Sequence, residues 1–332
     1  MHTPIPFLVL PGGLMGSNED SRKLIIPAIG DGELSNGQTS PDAILEPLLE
    51  EIRQKHGDAL LAILVYGSWL RGKRDTMLDF YVLLEDYRTL DSTWQGWMCR
   101  LLPPNVYHIH HKANDPDADG HELRAKYALL SLKRFCNAMH SDFHSYFWAR
   151  FAQPCEVLYT RDEATRTALS GAFKNATDTF IKRVLPAMGD QFSSTELWSR
   201  GLLLSYQCEL RTESRNRGDS IYAFNPAYYD AAISTFARQH GTLSNSEDKD
   251  VYRNQCSGLV RKLSPFSWWL RRVQGKLLSV LRLIKAAFTF NEPLEYLLWK
   301  IERHSGLYIE PSDRQLRHPL IFAWPLLWKL KR

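Results

Sequence analysis

The stretch from Val65 to Leu84, VYGSWLRGKRDTMLDFYVLL, constrains this chain more than any other. It is preceded by an unbroken apolar run, so that Leu60–Tyr66 reads LLAILVY before Gly67 and Ser68 interrupt it. A run of that length closed by glycine is the pattern of a strand buried on both faces. A basic turn follows (Arg71, Gly72, Lys73, Arg74), and then a second apolar run, Met77 to Leu84, which carries one acid, Asp79. Side chains alternate along a strand, so Asp79 shares its face with Met77 and Tyr81 and has no acidic neighbour there. Asp75 joins that face only if the strand already runs at residue 75, which makes it a weak second acid there.

The flanking segments extend this to a fold. Residues 1–40, rich in Gly, Ser, Asn and Pro, read as a flexible tail. A helix is expected from Ser40–Pro41, capped by Ser40 or Asp42, to His56, with Gly57 stopping it. Trp94, Trp97, Met98 and Leu101 have helical spacing before Pro103–Pro104. Val106–His111 is β-prone, and Leu123–Arg134 is a further apolar and basic segment. The expected class is α/β (α+β): a small mixed-sheet domain over 41–162, a mainly helical and possible winged-helix domain over 163–245, and a basic amphipathic segment over 246–332. The polar loop Thr242–Glu247 marks the last boundary.

Charge is distributed unevenly. Residues 253–332 hold 15 Lys and Arg against 5 Asp and Glu, although the whole chain carries only +4. An acidic body with a basic tail points to an anionic partner, lipid or nucleic acid. From Ser267 to Phe290, Leu270, Val273, Leu277, Leu281, Ile284 and Phe288 recur every three or four residues, with Arg271, Arg272, Lys276, Arg282 and Lys285 around the remaining surface. Trp268, Trp269, Trp299, Trp324 and Trp328 suit a bilayer headgroup zone. The expected partner is an anionic membrane surface, touched by the tail or shared with docking on the body, and nucleic acid is not expected. No run is long enough to span a bilayer. The five cysteines are scattered without zinc-ligand spacing, which favours a reducing compartment. His108 and His110 alternate on one face but lack a third ligand nearby, so they read as surface or polar-core residues.

A strand ending in Gly-Ser, a turn, and a second strand bearing an acid resembles the nucleotidyltransferases related to DNA polymerase beta. The chemistry suits the residues. Gly67 lets triphosphate oxygens approach the backbone, and Ser68 offers a hydroxyl and an amide N–H to them. Asp79 can hold Mg²⁺ against the phosphates. That superfamily places two acids one residue apart, and here only Asp79 is present.

Tyr66-Gly67-Ser68 with Met77-Leu78-Asp79-Phe80 is similar to the mitochondrial-type CDP-diacylglycerol synthases, the translocator assembly and maintenance family, which also lack the neighbouring acid. Further blocks resemble that family in order: Trp94; Asn105 with Tyr107, although Val106 replaces a histidine; Lys126-Tyr127, with Ala128 for glycine. Arg150–Pro154 follows, with Ala149 for glycine and Gln153 for lysine, and then Leu204–Arg211, with Cys208 for glycine. The matches run from about Leu64 to Glu213. The resemblance implies CTP and phosphatidic acid as substrates and Mg²⁺ as cofactor. Asp79 would be the metal ligand, with Glu209 and Lys126 as further catalytic groups. Gly67, Ser68, Tyr66, Arg150, Arg211 and Tyr107 would bind substrate. The attacking group is already a phosphate anion, so alignment and charge stabilisation would carry the rate.

Two rivals stay open: a nucleotidyltransferase acting on RNA or protein, and a degenerate nucleotide-binding protein without catalysis, motivated by the single acid. The N-terminus lacks the features of a transit or signal peptide. The expected location is therefore the cytoplasmic face of a bacterial membrane, or the matrix side in a eukaryote.

Overall fold

In the computed structural model, which describes residues 45–72, 77–87, 90, 93–112, 122–210, 217–245 and 251–289, the first apolar run forms a buried strand. Helix α1 (Glu46–His56) ends where Gly57 turns the chain, as its sequence predicts, while the expected start at Ser40–Asp42 lies outside the described residues. Strand β1 (Leu60–Tyr66) pairs antiparallel with β2 (Leu78–Leu84). Helix α2 (Thr93–Leu101) leads into β3 (Asn105–Lys112) and β4 (Glu122–Ser131). Strand β4 lies parallel to β2 and antiparallel to β3. After α3 (Leu132–Ser141) and the short α4 (Trp148–Phe151), β5 (Cys155–Thr160) closes the other edge, giving the mixed order β3-β4-β2-β1-β5.

The period-two alternation sorts the strands onto two cores. One face presents Ile63, Val65, Phe80, Val82 and Tyr127, and α1 covers it with Leu48, Leu49 and Ile52. The other presents Leu64, Tyr81, Leu83 and Leu130, and packs on helices. Each fully buried Leu, Val or Phe of this kind contributes roughly 1.5–3 kcal/mol.

The helical part is built from locally legible signals. Asp162 caps α5 (Glu163–Val184) by accepting the Thr165 N–H at 2.7 Å. Ser193 and Glu196 form a reciprocal capping box opening α6 (Ser194–Tyr206), and after α7 (Arg217–Tyr222) Asn225 with Pro226 starts α8 (Pro226–Gln239). These helices share one apolar cluster with the sheet, running from Leu64 and Tyr81 through Phe151 and Phe173 to Trp198 and Tyr229. The helical segment expected over 163–245 thus has no separate core among the described residues.

The expected boundary near residue 245 falls within a second sheet. Strand β6 (Gln191–Ser193), β7 (Leu243–Asn245) and β8 (Val251–Asn254) pair in the order β6-β8-β7. Residues 246–250, which join β7 to β8, lie outside the described residues. Helix α9 (Gly258–Thr289) begins nine residues before the expected start at Ser267, its backbone continuing through Pro265. No described helix is long and apolar enough to cross a membrane.

Helix α6 approaches α5 closely at Gly201, where an added Cβ would stand 2.4 Å from the Phe180 ring and 2.6 Å from a Val184 methyl. Phe180 is itself stacked on Trp198 at 4.6 Å between ring centroids, so it has little room to yield. Gly201→Ala is expected to lower unfolding stability by roughly 1–3 kcal/mol, despite alanine's better helix propensity, as read from denaturant melts.

Candidate active site

The backbone turns out of β1 at Gly67, whose φ of +91° is a conformation that side chains disfavour. A Cβ there would meet Asp79 Oδ2 at 3.6 Å. Glycine thus opens the space directly beside the acid. Ser68 follows and starts a single 3₁₀ turn, with its carbonyl accepting the Arg71 N–H at 3.0 Å.

Register places the acid in a row that crosses the sheet. Cys155 pairs with Tyr66, Tyr66 with Asp79, Asp79 with Lys126, and Lys126 with His108. Directly paired residues share a face, so these side chains stand side by side on the helix-covered face. Asp79 is the one carboxylate in the row. Glu156 pairs with Val65 and therefore lies on the opposite face, and Asp75 lies outside the described residues. Lys126 Nζ stands 2.9 Å from Asp79 Oδ1, an ion pair between side chains 34% and 23% exposed. The approach is off-line for a hydrogen bond, so Oδ1 is buried with no aligned donor.

One position deeper, Arg150 of α4 is largely buried, its side chain 9% exposed, and reaches both sheet and helices. It donates to Tyr81 Oη at 2.7 Å and to Glu209 Oε1 at 3.2 Å. Its guanidinium also lies 5.3 Å from the Tyr66 ring centre and 4.2 Å from that of Tyr146. Arg282 of α9 approaches the same Tyr146 ring at 4.1 Å and donates to the Pro103 carbonyl. Burial pushes the Tyr81 hydroxyl above its ordinary range. Burial acts on Tyr146 in the same sense, yet Arg150 and Arg282 outweigh it and pull that hydroxyl below its usual value. Arg282 is itself lowered, first by desolvation.

The expected site residues therefore separate. Tyr66, Gly67, Ser68, Asp79 and Lys126 gather at the corner, and Arg150 and Glu209 stand behind it as an ion pair. Tyr107 does not join them. It stacks on Tyr127 at 5.2 Å, beneath Lys55 of α1, on the face opposite Asp79. Its placement follows from β-alternation, since Tyr107 pairs with Tyr127 while His108 pairs with Lys126. Arg211 lies outside the described residues. Unforeseen neighbours are Arg71 and Gln153, which line a small cleft beside Gly67 with Leu70, Pro154, Ile221 and Phe224. Tyr81, Tyr146 and Arg282 were also missed. Tyr81 alone had a readable signal, because it shares the strand face of Asp79.

The donor set can accept a metal only sparingly. Among the described residues no three His, Cys, Asp or Glu side chains gather to hold one. A single carboxylate whose buried oxygen is ion-paired but accepts no hydrogen bond would fit a magnesium ion that arrives on a triphosphate and takes its other ligands from phosphate and water. Lys126 would have to leave Oδ1.

Comparison with known proteins adds little to this geometry. No protein-family profile matches the chain, and no curated protein matches it in sequence. Solved structures do. One is a nucleotidyltransferase-like protein from Exiguobacterium sibiricum 255-15, at 11% identity and a TM-score of 0.23, with 83% of this chain and 91% of that one aligned. A likeness so remote carries no activity across.

Near the Arg282 end, His144 accepts the Tyr146 N–H on Nδ1 at 3.4 Å and faces Asp142 with Nε2 at 3.3 Å. That arrangement holds a neutral ring, and burial lowers its pKa from 6.5 to about 4, assisted by Arg282 and Arg134 and opposed by Asp142. Between those values the unfolded chain binds a proton that the native chain does not. Stability should fall as pH drops from 6.5 towards 4, by roughly 3 kcal/mol from this group. Denaturant melts across that window should show a shallower pH slope for His144→Gln than for wild type.

Proposed function

We propose that the chain transfers a cytidylyl group from CTP to phosphatidic acid, giving CDP-diacylglycerol and pyrophosphate. The observation that carries nucleotidyl transfer is the corner itself: a glycine at positive φ opens onto a strand acid whose buried Oδ1 lacks an aligned donor. In this reading a phosphomonoester oxygen attacks the α-phosphorus, the bond from Pα to the bridging oxygen breaks, and pyrophosphate leaves. Bound magnesium would offset charge on the triphosphate and the leaving group. Gly67 and Ser68 receive the terminal phosphates, and Asp79 orients the metal-bearing end. Lys126, released from Asp79, lies beside it to neutralise a phosphate oxygen. Arg150 fixes Tyr66 and Tyr81, which back the corner, and Glu209 holds Arg150 in place.

The acceptor and the base rest on the resemblance in the Tyr66–Asp79 block and its ordered companions. An anionic acceptor is supported by Arg71, which lines the cleft beside Gly67. A second reading, nucleotide binding without catalysis, has its own support in the lone carboxylate and its lysine partner.

Purified full-length protein with CTP, Mg²⁺ and phosphatidic acid is expected to form lipid-linked cytidine. Asp79→Asn should abolish it. Ser68→Ala removes one phosphate contact and should lower the rate by about tenfold or more, equivalent to about 1.4 kcal/mol. Absence of product with several lipid phosphates, alongside saturable CTP binding by calorimetry, would replace this reading with the non-catalytic one. Product from ATP or GTP but not CTP would overturn the choice of base alone.

A further inference from the structure

Helix α9 sits against the body with its charged side inward. It carries seven Lys and Arg and no Asp or Glu between Gly258 and Thr289. Four of those cations bond to the protein: Arg261 pairs with Asp190, and the other three donate to backbone carbonyls. Arg271 is buried and donates to the Phe143 carbonyl at 3.0 Å, and Arg282 donates to the Pro103 carbonyl at 3.0 Å. Lys285 is buried and donates to the Leu102 and Pro104 carbonyls at 2.5 and 2.6 Å and to Asn105 Oδ1 at 2.9 Å. Burying cations is costly, and burial lowers the Lys285 pKa to about 8. Backbone oxygens compensate by accepting from each one. Trp268 anchors the same side, edge-on to Trp148. Gly275 brings the helix backbone against the Cys208 carbonyl, so the helix has no freedom to roll there.

The opposite side is apolar and open. Leu263, Phe266, Leu270, Val273, Leu277 and Leu281 recur every three or four residues, and each is 40–62% exposed. The stripe is about 27 Å long at 1.5 Å per residue. Trp269 stacks on Phe266 at one end, itself 54% exposed. Lys262 and Lys276 stand exposed along one edge.

We propose that this stripe docks on an anionic lipid surface, with the apolar side chains entering the acyl boundary and Lys262 and Lys276 meeting headgroup phosphates. An interfacial helix needs this combination of apolar face, aromatic ring and basic margin. A second copy fits poorly, since it would set the exposed Lys262 and Lys276 of one helix against those of another with no acid on either helix to pair them. The proposal stands on α9 alone and does not depend on the proposed reaction.

The test is flotation of the full-length chain with vesicles of phosphatidylcholine and of phosphatidylcholine containing phosphatidylglycerol. Phosphatidic acid is left out so that no substrate site is engaged. Wild type should float with the anionic vesicles, less so as salt rises, and only weakly with neutral ones. The Leu270→Gln/Leu277→Gln variant and the Lys262→Glu/Lys276→Glu variant should each lower the partition coefficient by about tenfold or more. Thermal melts should stay unchanged, because all four side chains are exposed. If the leucine variant misfolds, brominated-lipid quenching still decides, and wild type should lose more fluorescence than Trp269→Phe. No flotation, equal flotation on neutral vesicles, or flotation unaffected by both variants would overturn the proposal. So would a dimer in light scattering that the leucine variant dissolves.

Discussion

A largely buried guanidinium ties this molecule together. Arg150 comes from a helix of only four residues, yet its side chain reaches a strand hydroxyl on Tyr81 and a carboxylate on Glu209 beyond the end of α6. It also lies against the rings of Tyr66 and Tyr146, the second of which it shares with Arg282 from α9. Removing one member of this largely buried pair leaves the other uncompensated, which is costly where water cannot replace the lost partner. Sheet, helices and the C-terminal helix therefore depend on one charged centre. Its location immediately behind the Gly67–Asp79 corner means that the walls of the corner are set by the same contacts that hold the fold.

Much of this was legible from side-chain period. Leu60–Tyr66 and Leu78–Leu84 are strands because their apolar runs are short, continuous and bounded by turn residues. Asp79 stands alone on its face, as alternation requires. What period does not supply is which of two faces meets which neighbour. Tyr107 is close in sequence to residues of the Asp79 row but alternates onto the α1 side. The boundary near residue 245 was read from polar composition, whereas β8 pairs with β6, a partner some sixty residues earlier. Arg150 was visible only through resemblance, since no local pattern shows that an arginine will meet a tyrosine hydroxyl 69 residues away.

Helix α9 gives the sharpest case. Its three- and four-residue spacing marks an apolar side and a basic side correctly, and the usual inference sends the apolar side inward. Here carbonyls at 102–104 and 143 lie where a docking helix must pass, and carbonyls in such a place need donors more than they need methyl groups. Cations on long stems meet that need, and the leucines are left outside. An amphipathic pattern thus predicts two faces but not their assignment, which is settled by the unsatisfied polar atoms of the surface beneath.

The same reasoning bears on the lone acid. Two carboxylates side by side at the strand corner would repel each other without a metal and would require cations to hold them. With Asp79 alone, a single lysine on the adjoining strand balances the charge, and the corner is neutral at rest. Any cation that takes Oδ1 must exceed what Lys126 offers at 2.9 Å. A free divalent ion gains only one carboxylate there, whereas an ion carried by a triphosphate brings anionic oxygens that the displaced ammonium can pair with in turn. Under the proposed function, the arrangement would favour the arrival of metal and nucleotide together over binding of the metal by itself.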